Sequence, residues 1–284
     1  MTSELDAALA VDLAVRRRAA AEAISVPEGV VVRHPELYDV HYLNAVVIGA
    51  AQADRLFPAE VVALAERWLG AMGHRHVVFE DEAAGERAAA QLSAEGWERR
   101  RTSLMALAVD AAPVRPPADV DPRARRITDG EMETLQLAAL REEIPQAHLR
   151  TGLAERLVAT QRALRAGTPA QCHGAGEGGQ LQSMCTLFLD EDVGGRRIAL
   201  LEEVGTLLGH RRRGLARAAV GAAIAAARTW QAELIVVPAD ADDWPQLMYT
   251  AMGFDSAGRQ VSLTLRVPGG RPGPAGSGSV ADGL

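Results

Sequence analysis

The chain contains no lysine, so all 30 of its basic residues are arginine. It has only two cysteines, Cys172 and Cys185, and aromatic side chains make up 4% of its 284 residues. The cysteines fall on expected strands without C-x-x-C spacing, so they read as small core residues, not as a disulfide or a metal clasp. No HExxH, Walker or G-x-S-x-G sequence is present, and the seven histidines form no set. Zinc, P-loop and serine-hydrolase chemistry are therefore left without a motif, and no metal is expected. No segment approaches the apolar length that spans a bilayer. The start, MTSELD, is acidic and does not read as a secretory leader, so a cytoplasmic location and no membrane partner are expected. A net charge of −7 argues against a general nucleic-acid binder despite a run of arginines.

The informative residues are concentrated between Val204 and Ala216, VGTLLGHRRRGLA. The apolar segment 198–206 reads as a strand, and the Ala-rich segment from 215 to about 230 as a helix. The turn between them delivers Arg211, Arg212, Arg213, Gly214, Leu215, Ala216 and Arg217 to the helix start. Amides in a first helical turn have no partner within the helix, and the positive end of the helix dipole lies behind them. Such a turn suits a phosphate, which Gly214 and the small Ala216 allow close to the backbone. Next come an apolar run at 234–237 that suits a buried strand, a polar break from Asp240 to Asp243, and a short helix ending Tyr249-x-x-x-Gly253-Phe254.

Arg211-x-x-Gly214-x-Ala216 after a Val-x-Thr strand resembles motif A of the GNAT superfamily, the acyl-CoA-dependent N-acyltransferases. Tyr249-x-x-x-Gly253-Phe254 resembles the segment that closes such domains. The resemblance implies acetyl-CoA as co-substrate, with its pyrophosphate on the amides around Gly214 and the residues from Arg211 to Arg217. It also implies a pantetheine arm along the backbone of Val204, Gly205 and Thr206, and Tyr249 as the acid that protonates the leaving thiolate. A phenol with a pKa of roughly 10 is neutral at pH 7 and can serve. One departure is Asp242, where the family often has Asn. Asp242 is expected to cap the short helix, yet its charge is an odd neighbour for phosphates.

Transfer to an amine needs a group that removes a proton. Alternation along the strand puts Glu202 on the face of Val204 and Thr206, and Glu203 on the opposite face. A Leu-acidic-acidic strand at this spacing before motif A resembles GNAT members that acetylate small amines, and on that likeness Glu202 is the preferred base and Glu203 the runner-up. The acceptor is read as a small-molecule amine, with a protein N-terminus as an open variant. A mycothiol-synthase-like tandem enzyme is a nearby alternative, and a non-catalytic acyl-CoA sensor is the rival of a different class. The Ala, Gly and Arg abundance points to a GC-rich bacterial genome, and the absence of lysine leaves no such side chain for self-acetylation.

The order helix, apolar strand, acidic break, helix, Gly-aromatic, strand occurs twice, which reads as an internal duplication. The expected fold is α/β (α+β), with two GNAT-like domains, each a mixed, mostly antiparallel sheet flanked by helices. Residues 1–112 form the first and 123–267 the second. A Pro-marked linker (113–122) joins them, and a flexible tail (268–284) follows. The first copy lacks the arginine–glycine turn and has Leu92 where the tyrosine belongs, so it is read as structural, a pocket wall or the surface of a homodimer. Gly174 to Gly179 fits G-x-G-x-x-G but precedes a strand, so it is read as a hairpin loop and not as a dinucleotide site.

Overall fold

The computed structural model describes residues 3–38, 40–109, 120–144 and 152–267. Ser3 and Asp6 cap the first helix reciprocally, each side chain accepting from the other's amide at 3.1 Å. That helix, α1 (Glu4–Ala19), has no counterpart among the elements expected from the sequence. The first half continues as β1 (Glu22–Val26), β2 (Gly29–Arg33), β3 (Ala45–Ile48), α2 (Ala50–Ala53), α3 (Pro58–Leu69), β4 (His74–Phe79), α4 (Glu82–Leu92) and β5 (Glu98–Ala108). The second half comprises β6 (Ala124–Ile127), α5 (Asp129–Glu143), α6 (Leu153–Gly167), β7 (Ala170–Glu177), β8 (Gln180–Val193) and β9 (Arg196–Thr206). It ends with α7 (Leu215–Thr229), β10 (Leu234–Asp240), α8 (Pro245–Thr250) and β11 (Asp255–Arg266). Strand β7 extends to Glu177, so only Gly178 and Gly179 form the turn where a longer loop was expected. The tail and residues 113–119 of the expected linker lie outside the described residues.

The α/β class and the mixed, mostly antiparallel pairing are as expected, with only β3–β4 and β9–β10 parallel. The halves, however, share one eleven-stranded sheet, ordered β1-β2-β3-β4-β11-β5-β10-β9-β8-β7-β6. Their last strands are exchanged. Strand β11 pairs with β4 of the first half, β5 pairs with β10 of the second, and the two exchanged strands pair with each other at the centre. A sheet that stopped at β4 or β10 would leave a bare edge, and the exchange covers both.

Helix α7 packs on one face through Leu215, Ala219, Ala223 and Ala227. Alanine favours the helix and lets its backbone sit close to the strands. Helices α3 and α4 cover the same face beneath the first half. Helices α1 and α6 lie on the opposite face, against Phe188, Ile198, Leu200 and Val236. Helix α1 therefore comes from the first half of the chain yet rests on strands of the second, held there by Arg18 against the buried Asp190 (2.6 Å).

Candidate active site

Strands β9 and β10 pair only at Ile198↔Leu234, Ala199↔Ile235 and Leu200↔Val236. Strand β9 nevertheless runs on to Thr206 beside β8, and β10 runs on to Asp240 beside β5. The two strands part beyond Leu200 and Val236, and the backbone of 202–206 and 237–240 borders the resulting cleft. In the first half the equivalent parallel pair stays closed to the strand ends, Ile48↔Phe79, and Glu80 N–H still donates to the Ile48 carbonyl at 3.1 Å.

The parting starts at a bulge. Glu203 has φ 59°, and Glu203 and Val204 together oppose Cys185, between the pairs Glu202↔Thr186 and Gly205↔Met184. A left-handed backbone at a glutamate is strained, so something must hold it. The Glu203 carboxylate accepts from the Thr186 hydroxyl and from Arg165 Nη1 of α6 at 3.1 Å. The two charged side chains are 4% and 5% exposed. Burial pushes the Glu203 carboxyl up, while Arg165, Thr186 and Gln136 draw it back.

This geometry corrects the expectation from alternation. Thr186 stands opposite Glu202 and so shares its face, and Glu203 reaches Thr186 and α6. Both carboxylates therefore lie on the α1/α6 side. Glu203 is committed to Arg165, whereas Glu202 opens into a cavity of about 240 Å³. Strands supply the floor of that cavity, with His76, Gln260 and Thr102 on β4, β11 and β5 at a distance from Glu202 on β9, and α1 supplies Asp12 and Arg16.

Burial, then the like charges of Asp12 and Glu203, push the Glu202 carboxyl up to about 8. Between its ordinary value of 4.5 and 8, the folded protein keeps a proton that the unfolded chain releases. Stability is therefore lost as pH rises through that window. Glu202→Gln should melt above wild type at about pH 9, with the difference shrinking toward about pH 5. Melting curves that stay parallel across that range would contradict the burial of this charge.

Tyr249, on α8, borders the same cleft with its ring 4% exposed. It meets the edge of Phe254 at 5.8 Å between centroids. Burial first, then Cys185 and Glu202, hold the phenol above its ordinary value, so it remains a proton donor. Asp242 does not cap α8. Its carboxylate pairs with Arg101 of β5, because the break after β10 faces that strand and not the helix start. Trp244 occupies the cap position without a side-chain capping bond.

Beyond the end of β9, Gly214 caps α7 with φ 77°, a conformation that favours glycine. The Ala218 amide closes onto the Gly214 carbonyl at 3.0 Å. The amides of Leu215, Ala216 and Arg217 therefore face outward from the first turn. Arg211 pairs with Glu143 and donates to the Thr206 carbonyl at 3.1 Å, while Arg213 pairs with Glu177. Exposed pairs of this kind contribute little to stability; they set the two arginines beside α5 and β7. Arg212 and Arg217 have no ion pair among the described residues. The matching turn of the first half is unlike this one. Pro58 begins α3 without an N–H, and the Glu60 carboxylate already accepts from Phe57 N–H at 2.8 Å.

Sequence reasoning missed Asp12, Arg16 and Tyr42. Arg16 Nε donates to Asp12 Oδ2 at 3.0 Å, and Tyr42 Oη donates to Asp12 Oδ1 at 2.8 Å. The signal was an i, i+4 charge pair inside the apolar stripe Ala8, Val11, Val15, Ala19 of a helix that had not been recognised.

The site thus combines a parallel pair that parts at a bulge, a glycine-capped helix start after β9 and a buried phenol on α8. Residues 135–254 match the model of the acetyltransferase (GNAT) family. No curated protein matches the chain. Among solved structures, a GCN5-related N-acetyltransferase from Kribbella flavida is 20% identical, with TM-score 0.58 over 95% of this chain and 98% of that one. A functionally unknown conserved protein from Staphylococcus epidermidis is 13% identical, with TM-score 0.60 over 87% and 94%. A GCN5-related N-acetyltransferase from Sphaerobacter thermophilus is 18% identical, with TM-score 0.50 over 74% and 68%. At such identities the likeness is one of fold. Among the described residues no helix is long and apolar enough to cross a membrane, and no group of His, Cys, Asp or Glu is placed to hold a metal.

Proposed function

We propose that the chain is an N-acetyltransferase that moves an acetyl group from acetyl-CoA to the amine of a small acceptor. The observation that carries this reading is the cleft between β9 and β10, lined by Glu202 and Tyr249, with the turn into α7 fastened to the end of β9 through Arg211 and the Thr206 carbonyl. The residues fit the thioester. Outward amides of Leu215, Ala216 and Arg217 would hold the pyrophosphate, with Arg211, Arg212 and Arg213 at its rim. The backbone of Val204, Gly205 and Thr206 would pair with the pantetheine arm as a further strand. Acetyl-CoA supplies the activated acyl group. Glu202 takes a proton from the amine as the C–N bond forms, and Tyr249 gives one to the sulfur as the C–S bond breaks. One amine and one thioester become one amide and one thiol, and solvent resets both side chains.

The first half, with its closed strand pair and its Pro58 turn, serves as a wall of the acceptor cavity. The Asp242 charge, the one feature of the sequence that favours a binding-only sensor, is paired with Arg101. Thiol release from acetyl-CoA over a panel of primary amines tests the proposal. Tyr249→Phe should lower turnover by about 10²-fold or more while leaving CoA binding intact. Saturable CoA binding without thiol release on any amine would favour the sensor.

A further inference from the structure

Resting on the acetyltransferase reading, the cavity also carries information about the acceptor. We propose that Arg16 anchors a carboxylate of the acceptor, so that the site takes small amines bearing an acid group, with the amine directed to Glu202. The Arg16 side chain is 7% exposed and lines the cavity. Its Nε edge is bound to Asp12, and its face lies over the Tyr42 ring at 4.0 Å. Its Nη1 edge is buried and has no hydrogen-bond partner. A guanidinium offers five donors in a fixed fork that matches two carboxylate oxygens. Leaving such an edge sealed and unpaired is costly, which makes it the place in the cavity where a ligand anion gains most.

A second orphaned atom lies across from it. Gln161 Oε1 of α6 also lines the cavity and is likewise buried without a partner. The amide can turn to present its nitrogen instead, so Gln161 can serve either end of an amino acid.

The acids of the cavity argue against a purely cationic acceptor, because nearly all of them are engaged. Both oxygens of Asp12 are taken, by Arg16 and by Tyr42. Asp240 pairs with Arg100 at 3.1 Å, Glu203 pairs with Arg165, and Asp243 accepts from the Trp244 amide. Besides Glu202, which faces the reacting amine, only the exposed Asp243 lines the cavity without a cationic partner among the described residues. A carboxylate finds a free guanidinium edge.

The test compares glycine, β-alanine and γ-aminobutyrate with their carboxamides as acceptors, following thiol release from acetyl-CoA by the full chain. At least one acid should exceed its carboxamide in kcat/KM by roughly 10- to 100-fold. That ratio should fall to near one in Arg16→Gln and be partly kept in Arg16→Lys. Because each ratio is taken within a single protein sample, partial unfolding of a variant does not alter it, and the wild-type comparison needs no variant at all. Carboxamides acetylated as well as their acids by wild type, or an acid preference that survives Arg16→Gln, would overturn the anchor and leave the acetyltransferase reading standing. Absence of transfer to every amine would instead bring down the acetyltransferase reading, and the anchor with it.

Discussion

Replacing Glu202 by glutamine should lower kcat/KM for amine acetylation by about 10²- to 10⁴-fold, the usual contribution of a positioned base. The effect should depend on pH in a definite direction. Only the ionised carboxylate can accept the proton, and burial with Asp12 and Glu203 nearby pushes this carboxyl up to about 8. Wild-type kcat/KM should therefore gain up to tenfold per pH unit below about 8 over and above the titration of the amine, and that extra gain should level off beyond 8. In Glu202→Gln the step near 8 should vanish, and whatever activity is left should follow only the titration of the amine. The equivalent change at the neighbouring position separates the two candidates. Glu203→Gln keeps a partner for Arg165 and should keep the step, moved below 8 because one of the like charges that raise Glu202 is gone. A step that survives Glu202→Gln and disappears in Glu203→Gln would exchange their roles.

The largest effect on stability is expected at Arg165. This guanidinium and Glu203 are almost sealed from solvent, at 5% and 4% exposure, and Asp129 and Glu133 lie farther off at 3.5 and 3.7 Å. Arg165→Met leaves the carboxylate buried without its counter-charge, a change that typically costs about 3–5 kcal/mol. The double variant Arg165→Met/Glu203→Gln removes both charges and should recover much of that loss. Urea denaturation of the two single variants and the double variant gives the coupling directly. Strict additivity would mean that the pair does not hold the bulge. Since the bulge is where β9 leaves β10, Arg165→Met should also weaken CoA binding, although Arg165 lies on the far side of the strand from α7.

The parts of this site that could be read from sequence are those encoded in adjacent residues. The strand, the Gly214 turn, the Ala-rich helix and the Tyr249 segment follow from periodicity and from short motifs whose residues act within one or two turns of each other. Glu203 defeated the same logic because one extra residue in β9 reverses the facing that strict alternation assigns. The exchange of β5 and β11 depends on pairing between segments far apart in the chain, for which the local pattern of either strand carries no instruction. Helix α1 was missed for a related reason. Its apolar stripe is interrupted by Asp12 and Arg16, whose meaning emerges only when the helix lies over the cavity beside Glu202. Asp242 read as a helix cap on spacing alone, but its carboxylate finds Arg101 across the sheet.

The claim on which the rest stands is that the start of α7 receives the phosphates of CoA. Calorimetric titration of CoA into wild type and Ala216→Glu tests it most directly. An acidic residue in a first helical turn favours the helix dipole, so the variant should fold at least as well as wild type. It also sets a negative charge among the amides of Leu215, Ala216 and Arg217. Saturable binding to wild type, lost or weakened by roughly 100-fold in Ala216→Glu at an unchanged melting temperature, is the expected result. Equal affinity in the two proteins, or no heat from either, would contradict the account.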